Sequence, residues 1–218
     1  MSYLLNPANY NLSDPGSIPN LFIQHLTLVV ISMLISIVIA IPIGLFIARY
    51  RIWTTPVITT ADILYTIPAL ALLGVLVPIT GLSSTTVVIP LVLYAQLVLI
   101  RNTSAAVNGI DPLLLEVGRA MGMTPWQRLV RVTLPLALPV IVAGIRIATV
   151  TTIGIASLST LAGVSSLGDL IFLGLENIQT NQVIAGAILI ALFAVVADLL
   201  LLALQVALNR GRSAISVA

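Results

Sequence analysis

The chain has 218 residues, of which 59% are hydrophobic and only 7% are charged, with a formal net charge of +2. An average globular protein has about 25% charged residues, which cover the surface that faces water. The composition therefore excludes a soluble globular protein and indicates a chain embedded in a lipid bilayer.

Five apolar segments predict five transmembrane helices. All but the third exceed the roughly 20 residues that cross about 30 Å of hydrocarbon, and the third reaches that length if its helix continues through residues 102–107. A backbone in lipid must satisfy its own hydrogen bonds, and the segments lack the alternation of barrel strands, so we expect an all-α membrane protein. The segments are 21–48, 56–79, 85–100, 136–161 and 183–208.

The arginines predict the orientation of these helices. None occurs in residues 1–20, 80–84 or 162–182, whereas eight occur on the opposite side of the spans. Positive residues are retained on the cytoplasmic side of a membrane, so we expect the N-terminus outside and the C-terminus inside. The chain then divides into an extracytoplasmic leader (1–20), a transmembrane domain (21–208) and a cytoplasmic tail. The eight arginines are Arg49, Arg51, Arg101, Arg119, Arg128, Arg131, Arg210 and Arg212.

Prolines predict bends in four of the spans. Proline removes a helix hydrogen bond, and in lipid the freed carbonyl needs another partner. Most of these prolines are expected to be ordinary residues of membrane helices. Pro68 is the candidate for a functional bend because hydroxyls lie beside it, so Tyr65 and Pro68 are candidate pore or gating residues. The prolines are Pro42, Pro68, Pro78, Pro90 and Pro139.

The longest cytoplasmic segment, 108–135, predicts a structured loop rather than a flexible linker. Asp111 before a proline is typical of a helix start, and Gly122 is typical of a helix end. Thr124 with a glutamine three residues later is the pattern of a capping box, which starts a second helix. We expect that helix to end at Pro135, so the loop should consist of two short helices joined by a tight glycine turn.

One arginine lies well inside a span. Arg146 is in the fourth span, where an arginine is costly unless it is paired or hydrated. Asp198 in the fifth span and Asp62 near the inner end of the second are its candidate partners. The expected arrangement is a structural ion pair between packed helices, and the alternative is that Arg146 and Asp198 line the pore.

The remaining polar and aromatic residues suggest no binding site. His25 lies near the outer boundary of the first span and is expected to be an interfacial polar tip. Asp169 and Glu176 in the outer loop are expected to be solvated, with contact to a binding protein as the alternative. The eleven aromatic residues are scattered, with Tyr65 and Tyr94 the main ones deep in the spans, and no cage for a quaternary ammonium is visible.

The titratable residues exclude several kinds of site. The chain has no lysine, so it lacks a Walker A loop, which ends in Gly-Lys-Ser/Thr. One histidine and no cysteine exclude a multi-histidine or thiolate metal site within the chain. A net charge of only +2 is not typical of nucleic-acid binding, which needs a clustered basic face.

The cytoplasmic loop resembles the signature of ATP-binding-cassette (ABC) importer permeases. That signature is Glu-Ala-Ala, three residues, Gly, nine residues, a hydrophobic residue, one residue and Leu-Pro. Glu116, Gly122, Val132 and Leu134-Pro135 keep this spacing, while a valine and a glycine replace the two alanines. The resemblance implies that the loop couples the permease to an ATPase through Glu116, Gly118, Arg119, Ala120, Gly122, Met123, Leu134 and Pro135.

Further stretches resemble the osmoprotectant branch of this family, which imports glycine betaine, choline, carnitine and similar quaternary amines. The outer loop departs from the branch's glycine-rich pattern at Ser165 and Ser166. The similar stretches are 64–73, 101–103, 118–124, 134–141 and 143–146.

The resemblance implies a type I ABC importer-like fold with five transmembrane helices and a coupling-helix hairpin. The chain would be a non-catalytic pore subunit without a cofactor of its own, in a bacterial or archaeal cytoplasmic membrane. Its partners would be an ATPase dimer that binds ATP and Mg²⁺, a second identical or sister permease, and a separate extracytoplasmic binding protein.

Three other functions are weighed against this one. Within the family, the alternative is a permease for methionine or other amino acids. An ion-coupled transporter would ordinarily show two repeated halves or an intramembrane carboxylate relay, and it is disfavoured by the five unrepeated spans and the structured basic loop. An intramembrane enzyme is disfavoured because neither Gly-x-Ser-x-Gly nor His-Glu-x-x-His occurs in the chain.

Overall fold

The computed structural model describes residues 2–213, and no β-strand occurs among them. Residues 214–218 of the predicted tail (209–218) lie outside the described residues, as do the side chains of Arg210 and Arg212. Short 3-10 helices cover Pro7–Tyr10, Arg51–Trp53 and Ser157–Ala162, and Leu129–Thr133 forms a π-helical turn. The α-helices are α1 (Ser2–Leu5), α2 (Ile18–Arg49), α3 (Thr54–Thr66), α4 (Ala69–Thr80), α5 (Ser84–Asn108), α6 (Pro112–Ala120), α7 (Pro125–Arg128), α8 (Leu134–Ala156), α9 (Gly168–Glu176) and α10 (Thr180–Ser213).

Among residues 2–213, four helical segments are long and apolar enough to cross a membrane. They are α2, α5, the continuous run Pro125–Ala162 that contains α8, and α10. The second predicted span, 56–79, consists of the pair α3 and α4, which meet at 86°. The prediction of five spans therefore holds when this bent pair is counted as one span.

The bend occurs at Pro68, the proline singled out from the sequence. Ile67 adopts an extended conformation, and Pro68 has no N–H with which to continue the helix. The carbonyl of Ile67 accepts a hydrogen bond from the hydroxyl of Tyr94 on α5. The neighbouring hydroxyl of Thr66 bonds the carbonyl of Ile63 instead, at 2.7 Å. The Ile67 carbonyl at the bend thus finds its partner on another helix. The other predicted bend prolines remain inside helices: Pro42, Pro78, Pro90 and Pro139.

Helix α5 forms the centre of the bundle and packs against α2, α3, α4 and α8. Two glycines permit its closest approaches. A Cβ atom on Gly44 of α2 would lie 2.5 Å from the Cβ of Thr103, and one on Gly144 of α8 would lie 2.5 Å from the Cβ of Asn102. Small residues at such crossings are the usual device for packing membrane helices, because apolar burial gives little driving force in lipid.

The outer connection between α8 and α10 folds back into the bundle. A Cβ atom on Gly168, the first residue of α9, would lie 1.9 Å from the carbonyl oxygen of Ser157. Asp169 is half-buried and accepts hydrogen bonds from the hydroxyl of Thr160 at 2.5 Å and the amide of Ser166 at 3.2 Å. The expectation that Asp169 is a solvated loop charge is therefore wrong, since it holds this segment together. Glu176 is exposed, as expected.

Candidate functional site

The first cytoplasmic helix, α6, is capped at both ends by local hydrogen bonds. The Asp111 carboxylate accepts a hydrogen bond from the amide of Leu113 at 2.9 Å. At the other end, Gly122 has φ +75° and its amide bonds the Arg119 carbonyl at 2.9 Å, while the Met123 amide bonds the Gly118 carbonyl at 3.1 Å. These two bonds form a Schellman motif, which requires a residue that tolerates positive φ. The nine-residue helix is thus a stiff unit with defined ends.

The second helix begins as predicted but does not end where predicted. The hydroxyl of Thr124 accepts from the amide of Gln127 at 3.2 Å, and the Gln127 side chain accepts from the amide of Thr124 at 2.9 Å. Helix α7 then passes through the π-helical turn into α8. The amide of Leu134 bonds the carbonyl of Leu129, five residues back. Pro135, the expected terminator, instead occupies the first turn of α8, where a proline without an N–H is tolerated.

The two faces of α6 differ. Its inner face packs through Gly118, which is buried, and a Cβ atom there would lie 3.5 Å from the sulfur of Met123 and 3.6 Å from the stem of Arg128. Its outer face exposes an apolar stripe at helical spacing, flanked by the exposed residues Glu116 and Ala120. An exposed apolar surface of this kind outside the spans indicates a protein contact. The stripe consists of Leu113, Leu114, Val117 and Met121, which are 61%, 46%, 48% and 69% exposed.

The structure places the predicted coupling residues in two groups. Glu116, Gly118, Arg119, Ala120, Gly122 and Met123 lie on α6 or the glycine turn after it. Leu134 and Pro135 lie beyond the π-helical turn at the entry to α8, so they connect the loop to the membrane rather than extend its outer face. Glu116 and Arg119 do not form an ion pair, although their i, i+3 spacing permits one.

Arg146 of α8 pairs with Asp198 of α10, and both side chains are half-buried. The Nε and Nη2 atoms of Arg146 donate to the two carboxylate oxygens at 3.0 and 2.8 Å. The third contact, from Nη1 to the amide oxygen of Gln205 at 2.9 Å, was missed in the sequence. Gln205 lies seven residues after Asp198, which places both on one face of a helix. That spacing could have indicated Gln205 as a second partner of Arg146.

The other candidate partner, Asp62, pairs with a different arginine. Both of its carboxylate oxygens accept from Nη2 of Arg101 on α5, at 2.9 and 2.7 Å. The Arg101 and Asp62 side chains are 53% and 41% exposed, and both lie toward the predicted cytoplasmic ends of their apolar segments. An ion pair with this exposure is costly against hydrocarbon. The surface that carries it therefore faces water or another protein rather than lipid tails.

The predicted pore residues fall into two separate places. Tyr65 and Pro68 lie at the bend between α3 and α4, where the rings of Tyr65 and Tyr94 meet edge-on with centroids 5.6 Å apart. Arg146 and Asp198 lie between α8 and α10. No cluster of three or more potential metal-ligating side chains occurs in the described part of the chain.

The sequence also resembles proteins of known function. Residues 40–213 match the family described as the binding-protein-dependent transport system inner membrane component. The chain is 40% identical over 210 residues to the osmoprotectant import permease protein OsmW of Salmonella typhimurium, covering 94% of this chain and 98% of that protein. It is 41% identical over 210 residues to the glycine betaine/carnitine/choline transport system permease protein OpuCD of Bacillus subtilis, covering 96% and 92%.

A solved structure shares the architecture. The chain superposes on a protein chain of the MetNI methionine ABC transporter in an inward-facing conformation with a TM-score of 0.74, covering 85% of this chain and 93% of that one. At 22% sequence identity, this likeness concerns the fold alone. It confirms the expected fold class.

Proposed function

Because the chain belongs to the family of binding-protein-dependent transport system inner membrane components, we propose that it is the pore subunit of an ATP-driven importer of osmoprotectants such as glycine betaine, choline or carnitine. The observation that carries this substrate class is the identity of 40% and 41% to permeases named for osmoprotectants and for glycine betaine, carnitine and choline. Each match extends over more than nine-tenths of both proteins.

As a permease, the chain is a transport subunit rather than an enzyme. ATP hydrolysis then falls to a separate ATPase dimer, which holds the nucleotide and Mg²⁺. The exposed apolar stripe of α6 is the surface proposed to enter a groove of that ATPase. The caps at Asp111 and Gly122 support this role, because a helix with defined ends moves as one body and transmits the motion of its partner.

The proposed assembly pairs this chain with a second permease, identical or closely related. The exposed Asp62–Arg101 ion pair supports a surface shared with water or protein, as expected if the pore lies between two subunits. The arginine distribution supports a cytoplasmic membrane protein with its N-terminus outside, so that α6 meets the ATPase inside and the segment between α8 and α10 faces an extracytoplasmic binding protein.

Uptake by the complete transporter tests this function. The chain is reconstituted in vesicles with its ATPase, its binding protein and any sister permease, and the entry of labelled glycine betaine, choline, carnitine and methionine is measured with and without ATP. We expect ATP-dependent uptake of one or more quaternary amines and none of methionine. Uptake of methionine alone would replace the proposal with the amino-acid alternative, and uptake without ATP would contradict an ABC importer.

A further inference from the structure

A basic cavity lies on the membrane side of the coupling helix, and Arg119 is the one predicted coupling residue that lines it. Its volume is about 700 Å³, and it lies where α2 and α5 end and α8 is about to begin. Four arginines line it, and no carboxylate is among the lining residues. The arginines are Arg49, Arg51, Arg119 and Arg128.

Within the part of the chain that the structure describes, these arginines have no partner. No hydrogen bond or ion pair joins any of the four guanidinium groups to another described residue. Four like charges around one cavity repel one another, and an anion placed among them removes that repulsion while forming charge-assisted hydrogen bonds. The cavity therefore has the chemistry of an anion site.

The walls of the cavity are amphipathic. Arg49, the last residue of α2, and Arg51, just after it, are exposed at the rim, whereas Pro42, seven residues before Arg49, lies about 10 Å deeper along α2. Leu45 and Phe46 line the wall between those depths, and Trp126 lies at the opening. Tryptophan is enriched at the level of lipid headgroups. A ligand that fills this cavity needs an anionic head and an apolar body, whereas a soluble phosphate uses only the rim.

We propose that this cavity binds an anionic phospholipid of the cytoplasmic leaflet, with its phosphate among Arg49, Arg51, Arg119 and Arg128 and an acyl chain along Leu45 and Phe46. The inference goes beyond the transport function and does not depend on which substrate is carried. The lipid would lie under the inner face of α6, so the outer stripe remains open to a protein partner. Membrane composition would then directly affect how the coupling helix α6 packs against the transmembrane helices.

Trp126 provides a direct reporter of occupancy. It is one of two tryptophans, so Trp53→Phe leaves it as the single fluorophore. The Trp53→Phe chain is reconstituted in phosphatidylcholine vesicles. These vesicles contain increasing fractions of a lipid brominated on its acyl chains near the headgroup, which is either phosphatidylglycerol or phosphatidylcholine. We expect brominated phosphatidylglycerol to quench Trp126 at a severalfold lower mole fraction than brominated phosphatidylcholine.

Two variants separate the cavity from general surface charge. Each arginine near an anionic headgroup contributes roughly fivefold to binding, so Arg49→Gln with Arg128→Gln is expected to remove most of the preference for phosphatidylglycerol. The double lysine variant at these positions should retain most of it. Arg131→Gln is the matched control, since Arg131 is exposed on the π-helical turn and does not line the cavity. An equal loss in Arg131→Gln would overturn the proposal.

Three further outcomes would also overturn it. Equal quenching by the two brominated lipids would mean an apolar cleft without anion selectivity. Loss of the preference on adding millimolar inorganic phosphate at constant ionic strength would mean a soluble anion as the ligand. Displacement of brominated phosphatidylglycerol on adding the ATPase would mean that a protein fills the cavity. These measurements use the Trp53→Phe chain with all its arginines, so they decide the question even if the double variant fails to fold.

Discussion

The imidazole of His25 on α2 forms a hydrogen bond with the carbonyl of Ile153 on α8, with Nε2 and the oxygen 3.1 Å apart. The expectation of an interfacial polar tip was wrong, since His25 is fully buried, with its ring edge-on to Phe193 of α10 at 5.6 Å between centroids. Ile153 needs this partner because the amide of Ser157, four residues on, bonds the carbonyls of Gly154 and Ile155 instead. His25 therefore joins three helices where α8 tightens into a 3-10 helix.

Replacing His25 with leucine should destabilise the outer half of the bundle, because it leaves the Ile153 carbonyl buried without a donor. A buried group left unsatisfied costs about 1–3 kcal/mol. His25→Gln, which keeps a side-chain N–H donor, is the control and should lose less. Thermal unfolding in one detergent measures both variants. A leucine variant that unfolds at the wild-type temperature would show that this hydrogen bond contributes nothing.

Removing Arg146 alone should reduce the yield of folded protein more than removing Arg146 and Asp198 together. Arg146→Ala leaves the Asp198 carboxylate between two membrane helices without its partner, whereas the double variant leaves no charge unpaired. The measurement is the monodisperse fraction after extraction from the membrane. If Arg146→Ala assembles normally and loses only transport, a role in the pore replaces the structural role.

Gly144→Ala and Gly154→Ala should have opposite effects, although both lie in α8. A Cβ atom at position 144 would lie 2.5 Å from Asn102 of α5, so the helices must separate, and such overpacking costs about 1–3 kcal/mol. No atom lies within 4 Å of the Cβ position at 154, so alanine there should be neutral or stabilise the helix. Unfolding temperatures of the two variants provide the comparison, and equal temperatures would contradict the close crossing of α5 and α8.

Gly122→Val should weaken the coupling between the permease and its ATPase. The cause should be the backbone conformation at this position alone. No atom lies within 4 Å of the Cβ position at Gly122, but its φ of +75° is strongly disfavoured for a β-branched residue. Gly122→Asn is the control, because asparagine tolerates this conformation. A charge reversal at Glu116, on the exposed face of α6, should also weaken this coupling, by disturbing the surface that contacts the ATPase. Co-purification of the ATPase and substrate-stimulated hydrolysis measure these effects, and wild-type behaviour of Gly122→Val and the Glu116 reversal would remove the coupling assignment.

Single cysteines at Ser13 and Ser213 should distinguish the two sides of the membrane, since the chain has no cysteine of its own. An impermeant maleimide added to cells whose outer surface is accessible should label Ser13→Cys only. Permeabilised cells should label both and serve as the control. Labelling of Ser213→Cys alone in intact cells would invert the proposed orientation and move α6 to the outside.

The caps of α6 and α7 were predictable because each depends on residues two to five positions apart. A carboxylate, a hydroxyl or a glycine at the right offset satisfies a helix end regardless of the rest of the fold. The apolar segments were predictable for a similar reason, since the hydrocarbon thickness sets a length that can be counted along the chain.

The pairing of the membrane charges was decided by the tertiary structure. Arg146 had two candidate carboxylates, and whether Asp198 or Asp62 faced it depended on how distant helices rotate and align against one another. The same is true of His25, whose burial follows from where α8 and α10 pack on α2. Near Pro68 the sequence contained the local cause of the bend, but the hydroxyl that stabilises it comes from Tyr94, twenty-seven residues away. Local hydrogen bonds follow from sequence spacing, whereas contacts between helices follow from packing.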